Sequence, residues 1–165
     1  MREVEGHIPA LRRYARGLIG NEAPDPAAQA DELVRETVAL APRNGQLGAF
    51  QDPRLWLYAT LTVRNRARSA AAPAPSPARP AGPPLAANPS DALGRLALEE
   101  REALLLVVVE GFTYAQTASI LGLSRPGVAT RLCKARQQMA AGAKASPRSQ
   151  AGRRPGNPPY LRLVK

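Results

Sequence analysis

Six residues in the stretch from Ser124 to Lys134 have the types and spacing to do chemistry: Ser124, Arg125, Gly127, Thr130, Arg131 and Lys134. That chemistry is recognition. Guanidinium and ammonium groups neutralise phosphate, hydroxyls bond to backbone oxygens, and a glycine lets a backbone come close. Bond-making chemistry lacks its residue types. His7 and Cys133 are the only residues of their kinds, so no intrachain disulfide and no Cys/His metal cluster can form. No glycine-rich phosphate loop, nucleophile elbow or catalytic triad is in prospect. The expectation is a protein that is not an enzyme, with no cofactor, no metal and no small-molecule substrate. Cys133 reads as a buried or half-buried packing residue, and His7 as a surface residue of the first helix.

The elements that must position these six lie in GFTYAQTASILGLSRPGVATRLCKAR, Gly111–Arg136. Thr113 suits an N-cap, and Gln116 three residues on completes a capping box. The spacing predicts a helix over about Tyr114–Leu121, ended by a left-handed Gly122. Ser124 caps a second helix whose Pro126 falls in the first turn, where a missing N–H costs little. Val128, Leu132 and Ala135 recur at helical spacing and face a core. Arg131 and Lys134 then fall on other faces, with Arg125 and Gly127 at the end that would enter a major groove.

Periodicity alone fits a plain helical hairpin with a solvated basic face equally well. The charge distribution favours DNA. Residues 1–110 hold 13 Lys and Arg against 13 Asp and Glu, whereas residues 111–165 hold 10 cations and no acid. The net charge of +10 therefore lies at and after the second helix, which suits a phosphate backbone. An anionic membrane would attract the same charge, but the helix lacks the aromatic and leucine face that interfacial binding needs. The apolar run Leu104–Val109 is far too short to span a bilayer, and the N-terminus has no continuous apolar stretch like that of a secretory signal. A cytoplasmic protein with no membrane partner is expected.

Organisation follows from composition. Residues 70–90, AAAPAPSPARPAGPPLAANPS, carry seven prolines and read as an extended Pro/Ala-rich linker. They divide an N-terminal unit, 1–69, from a C-terminal unit, 91–141. The stretch 142–165 is rich in Pro, Gly and Arg and reads as a basic disordered tail. The N-terminal unit has three helical patterns. His7–Ile19 turns Ile8, Leu11, Ala15, Leu18 and Ile19 to one face. Ala27–Leu40 does the same with Ala30, Leu33, Val34, Thr37 and Val38, and Pro53–Arg68 with Leu57, Leu61 and Val63–Arg64. Breaks at 21–26 and 42–48 separate them. Three helices of this size barely fill a core, so the unit is marginal alone. In the C-terminal unit, Leu98–Glu110 is read as one helix preceding the helix pair, acidic at its start and stopped by Gly111. Asp31 and Glu32 lie beside Arg35 and Glu36 on a charged helix surface, an arrangement that is ordinarily just solvated. The chain is predicted all-α: two small helical domains joined by the linker, the second a helix-turn-helix.

On these residues the chain resembles bacterial RNA polymerase sigma factors of the extracytoplasmic-function type. The match is dense over Leu96–Arg136, LALEEREALLLVVVEGFTYAQTASILGLSRPGVATRLCKAR. It is sparser in Ile8–Leu18, Ala30–Val38 and the tryptophan-centred Leu55–Tyr58. The resemblance implies that Asp31, Glu32, Arg35 and Glu36 dock on the clamp coiled coil of the polymerase's largest subunit. It implies that the helix after Trp56 meets the promoter element that melts. It implies that the second helix of the C-terminal unit reads the upstream element in duplex DNA, and that an anti-sigma protein is a further partner. The sequence departs from the family at several places. Pro126–Gly127 stands for a Gly–Thr pair, Ala129 for a lysine, Gln116 for an acid and Thr117 for a branched apolar residue. The Arg–Asn pair after the tryptophan comes two residues late, at Arg64–Asn65.

Three functions fit these features. The leading one is a transcription initiation factor that directs RNA polymerase to selected promoters. The second is a sigma-like mimic that binds an anti-sigma protein; such mimics usually carry a receiver domain, which this sequence is not expected to hold. The third is a simple helix-turn-helix regulator, which leaves the Asp31–Glu36 segment without a role.

Overall fold

A computed structural model of the chain describes residues 2–20, 24–41, 50, 52–71 and 89–145. The architecture is all-α, with no strand among the described residues. A short α1 (Arg2–Glu5) precedes α2 (Ile8–Ile19), α3 (Pro26–Ala39) and α4 (Pro53–Ala71). After the linker come α5 (Pro89–Gly94), α6 (Leu98–Leu104), α7 (Tyr114–Leu121) and α8 (Arg125–Ala145).

Local sequence accounts for most of these boundaries. Asp25 caps α3 by accepting from the Ala28 N–H at 3.0 Å, and Pro26 takes the first helical position, where its missing donor is harmless. Thr113 and Gln116 form the reciprocal capping box of α7. Gly122 ends α7 at φ 66°, and the Leu123 N–H reaches back to the Ala118 carbonyl at 2.9 Å. Helix α4 continues through Ala70 and Ala71, α5 begins at Pro89, and α8 runs on to Ala145, four residues into the stretch read as tail. Residues 72–88 and 146–165, the bulk of the expected linker and tail, lie outside the described residues, as do 21–23 of the first expected break and 42–49, which take in the whole of the second.

The stretch expected as one helix over Leu98–Glu110 changes type at Leu105. From Leu105 to Val109 it is a π-helix, with the Glu110 N–H bonded to the Leu105 carbonyl five residues back at 3.0 Å. The extra residue turns Glu110 by roughly 100° from where a regular α-helix would place it. Packing explains the apolar run as far as Leu106, while Val108 and Val109 beyond it are exposed. Helices α8 and α2 pack on α6, and α2 and α7 on the π segment, so Glu102, Ala103, Leu104, Leu105 and Leu106 are all buried in succession. At Gly17 of α2, an added Cβ would meet the Leu105 methyls at 2.8 and 2.9 Å, so any larger residue there would make the Leu105 side chain shift.

The two units therefore share one core. Leu11, Leu18, Leu33, Leu57 and Leu61 of the N-terminal unit are buried continuously with Leu105, Leu106, Phe112 and Leu121 of the C-terminal one. An aromatic file crosses the boundary. Tyr14 and Tyr58 lie with ring centroids 5.2 Å apart, and Phe112 meets Tyr58 edge-on at 4.8 Å. The N-terminal unit, marginal alone, completes its core with the C-terminal one.

Two side chains lie elsewhere than expected. Val63 is 60% exposed, because the buried face of α4 runs through Leu57, Tyr58, Leu61, Thr62 and Asn65. The interior accepts Thr62 because its hydroxyl donates to the Tyr58 carbonyl at 2.7 Å and receives the Tyr14 hydroxyl at 2.9 Å. Cys133 is exposed, one residue past buried Leu132 and so about 100° round the helix from the core stripe. His7 precedes α2 half-buried and makes no side-chain cap.

Candidate nucleic-acid interface

Helix α8 is held by its apolar stripe. Val128, Leu132 and Ala135 are fully buried, and α6 and α7 pack against the helix. This fixes which residues face outward. Ser124, Arg125, Thr130 and Lys134 are exposed, and Gly127 is half-buried. The Ser124 hydroxyl accepts from the Gly127 N–H at 3.2 Å, so it works as the cap read from the sequence. Thr130 donates its hydroxyl to the Pro126 carbonyl at 3.0 Å, which leaves its lone pairs outward. The exposed end of α8 thus carries hydroxyls, a guanidinium and an ammonium, with no acid in residues 111–165.

Arg131 stands apart from this group. Its side chain is 20% exposed and folds onto α6, where Nη2 pairs with Glu99 Oε2 at 2.8 Å. Its Nη1 is buried without a hydrogen-bond partner. The spacing put Arg131 on an outward face. The nearness of α6 turns it inward.

The four acidic and basic residues on α3 are dispersed among three partners. Glu32 and Arg35 pair with each other one turn apart at 2.7 Å. Asp31 faces Arg12 of α2 at 3.1 Å. Glu36 takes Arg64 at 2.9 Å and also Arg68, both from α4. The hydrogen bond from Arg64, with that from Arg68, holds the Glu36 carboxyl below the usual carboxylate range against the opposing effect of desolvation. Next to these residues an open groove between α2 and α3 is lined by Ile8, Arg12, Val34 and Val38 together with Asp31, Glu32 and Arg35.

Sequence reasoning missed the two most constrained acids. Glu102 and Glu110 have fully buried side chains. Arg66 of α4 reaches Glu102 through Nε at 2.9 Å and again through Nη2. Arg13 of α2 grips Glu110 bidentately at 3.0 Å, and the Tyr58 hydroxyl donates to the same carboxylate at 2.6 Å. Burial first, and the hydrogen bond to Glu110 second, push the Tyr58 phenol up. Arg54 donates to the Glu110 backbone carbonyl at 2.7 Å and lies over the Phe112 ring at 4.2 Å. The only sequence signal was two glutamates flanking an apolar run.

No helix among the described residues is long and apolar enough to cross a membrane. Residues 90–139 match the family model described as Sigma-70, region 4, and residues 4–62 match the Sigma2 domain of PhyR. The chain is similar to the ECF RNA polymerase sigma factor EcfG of Rhodopseudomonas palustris (strain TIE-1), 30% identical over 159 residues, covering 84% of this chain and 82% of that protein. Solved structures that share its fold include two complexes. One is the sigma factor RpoE of Bartonella quintana in complex with the anti-sigma factor NepR, at 24% identity and TM-score 0.64, covering 88% of this chain and 96% of that one. The other is the anti-anti-sigma factor PhyR of Bartonella quintana complexed with NepR, at 20% identity and TM-score 0.62. It covers 86% of this chain, which spans 49% of that one. A helix-turn-helix with an outward basic end, helices α2–α4 packed against it, and a likeness to EcfG over most of both chains make this protein a member of the extracytoplasmic-function family of RNA polymerase sigma factors, the transcription initiation factors that direct RNA polymerase to specific promoters by binding DNA.

Proposed function

We propose that α8 reads the upstream promoter element in the major groove. Arg125, Thr130 and Lys134 meet DNA directly, and Ser124 and Gly127 bring the helix N-terminus close to the phosphates. Arg131 joins them once it leaves Glu99. The observation that carries this reading is the division of α8 into a buried Val128–Leu132–Ala135 stripe and an exposed, acid-free face. On α3, Asp31, Glu32, Arg35 and Glu36 dock on the clamp coiled coil of the polymerase's largest subunit, and α4 meets the melted promoter element. The protein works in the cytoplasm without catalysing a reaction, and an anti-sigma protein regulates it. In vitro run-off transcription with core polymerase and the promoter of the chain's own gene tests the reading: a promoter-dependent transcript supports it, and its absence with folded protein sinks it.

One observation favours a second reading. The N-terminal half matches the Sigma2 domain of PhyR, an anti-anti-sigma factor in its solved complex. On that reading the chain binds an anti-sigma protein in place of another sigma factor. Co-purification with core polymerase separates the two, since a mimic binds core weakly or not at all.

A further inference from the structure

Helix α4 carries four arginines and no acid, and each arginine is already occupied by the chain itself. Arg64 and Arg68 serve Glu36 within the N-terminal unit. The other two are taken by the C-terminal unit: Arg66 by Glu102, Arg54 by the Glu110 carbonyl and the Phe112 ring. The same unit covers an aromatic side chain, since Phe112 stands edge-on to Tyr58 and leaves it fully buried. Beside these, Asn65 is nine-tenths buried with its Nδ2 unpartnered, and it lines a cleft between the units with Arg68, Ser69, Leu98 and Arg101.

We propose that the C-terminal unit masks a single-stranded-DNA-binding face of α4, and that opening two carboxylate clasps, Glu102 to Arg66 and Glu110 to Arg13, uncovers it. The inference rests on the reading that α4 meets melted promoter DNA and adds how that face is regulated. Guanidinium groups that hold carboxylates bidentately hold phosphates by the same geometry, so Glu102 occupies on Arg66 the place a strand phosphate would take, while Glu110, gripped by Arg13 of α2, holds the cover over Tyr58 and Arg54. An exposed Tyr58 ring supplies a surface for a base to stack on, and Asn65 supplies a free amide donor. Burying the two carboxylates costs desolvation that largely offsets their attraction to arginine, so the clasps hold the closed arrangement without making it irreversible. Strand binding and domain closure then compete for the same side chains.

A reversible lock tests this. The Cβ position at Gly17 lies 3.5 Å from Leu105 Cγ, so Gly17→Cys with Leu105→Cys, in a Cys133→Ser background, brings two thiols within bonding reach across the closed boundary. The probe is a fluorescein-labelled, mixed-sequence single-stranded DNA read by anisotropy against salt, with the oxidised and reduced forms of one protein compared. The oxidised form is expected to bind about tenfold more weakly, with a salt slope smaller by about 1.4, because Arg54 and Arg66 stay occupied and each phosphate contact contributes about 0.7 on a single strand. Strand contacts made by α8 are common to both forms and cancel. Glu102→Gln, in the otherwise unaltered chain, is expected to bind the probe more tightly than its parent. Equal affinity and slope in the two redox forms overturn the masking while leaving α4 as a strand-binding helix. Failure of both forms and of Glu102→Gln to bind overturns the masking together with the assignment of α4.

Discussion

Glu99 on α6 holds Arg131 on α8, Oε2 to Nη2 at 2.8 Å, although the carboxylate is 66% exposed and the guanidinium only 20%. A phosphate reaching Arg131 must displace that carboxylate. Exposed pairs of this kind contribute about 0.2–1 kcal/mol. Glu99→Gln is therefore expected to tighten binding to duplex DNA about two- to fivefold, and Arg131→Ala to weaken it and lower the salt slope by about one. Anisotropy titrations on an upstream-element duplex check both. Weaker binding by Glu99→Gln would make Glu99 a residue that positions Arg131 and not one that competes for it.

The proposed docking of α3 on polymerase is expected to be separable from folding. Asp31 and Glu32 sit on the surface, paired with Arg12 and Arg35 and contributing nothing to the core. Reversing both to Lys is expected to abolish co-purification with core polymerase while thermal melting and duplex binding stay close to those of the parent. Retained co-purification with core would remove α3 as the docking helix.

Acid should selectively loosen the joint between α3 and α4. The folded carboxyl of Glu36 titrates below its unfolded value of about 4.3, so its pairing with Arg64 and Arg68 contributes fully above that value and fades as pH falls through the lower one. Glu36→Gln is expected to melt earlier than the parent at neutral pH and at the same temperature in strong acid. The gap at neutral pH should be small, because both arginines are more than a third exposed and screened by solvent. Paired melting curves from neutral to acid pH test the convergence; a constant gap would assign the loss to something other than charge.

Tyr58→Phe removes one donor from a carboxylate that stays buried and gripped by Arg13. Hydrogen bonds to charged groups contribute about 1.5–3 kcal/mol, so urea unfolding is expected to show a loss in that range with an unchanged m-value. An undiminished stability would mean that Arg13 alone satisfies Glu110.

Thr117 is fully buried and its hydroxyl lacks a partner. Thr117→Val keeps the shape and removes the unmatched polar group. It is expected to raise stability by about 1 kcal/mol with DNA binding unchanged. A destabilised variant would show that the hydroxyl is matched after all.

What the sequence determined by itself was the helix-turn-helix, which is carried by bonds and spacing between near neighbours. The capping box at Thr113 and Gln116, the left-handed Gly122, the Ser124 cap and the Val128–Leu132–Ala135 stripe all rest on groups within a turn or two of one another, and the helix-turn-helix was legible for that reason. The tertiary structure decided the rest. Arg13 and Glu110 are 97 residues apart, and Arg66 and Glu102 are 36 apart, so no local pattern could pair them. The π segment at Leu105–Val109 packs on α2 and α7, and it turns Glu110 toward α2 and α4. Val63 faces outward because Thr62 and Asn65 are needed at the buried face, and Arg131 turns inward because α6 brings Glu99 within reach. Periodicity says which residues share a face of a helix; only packing says what that face meets.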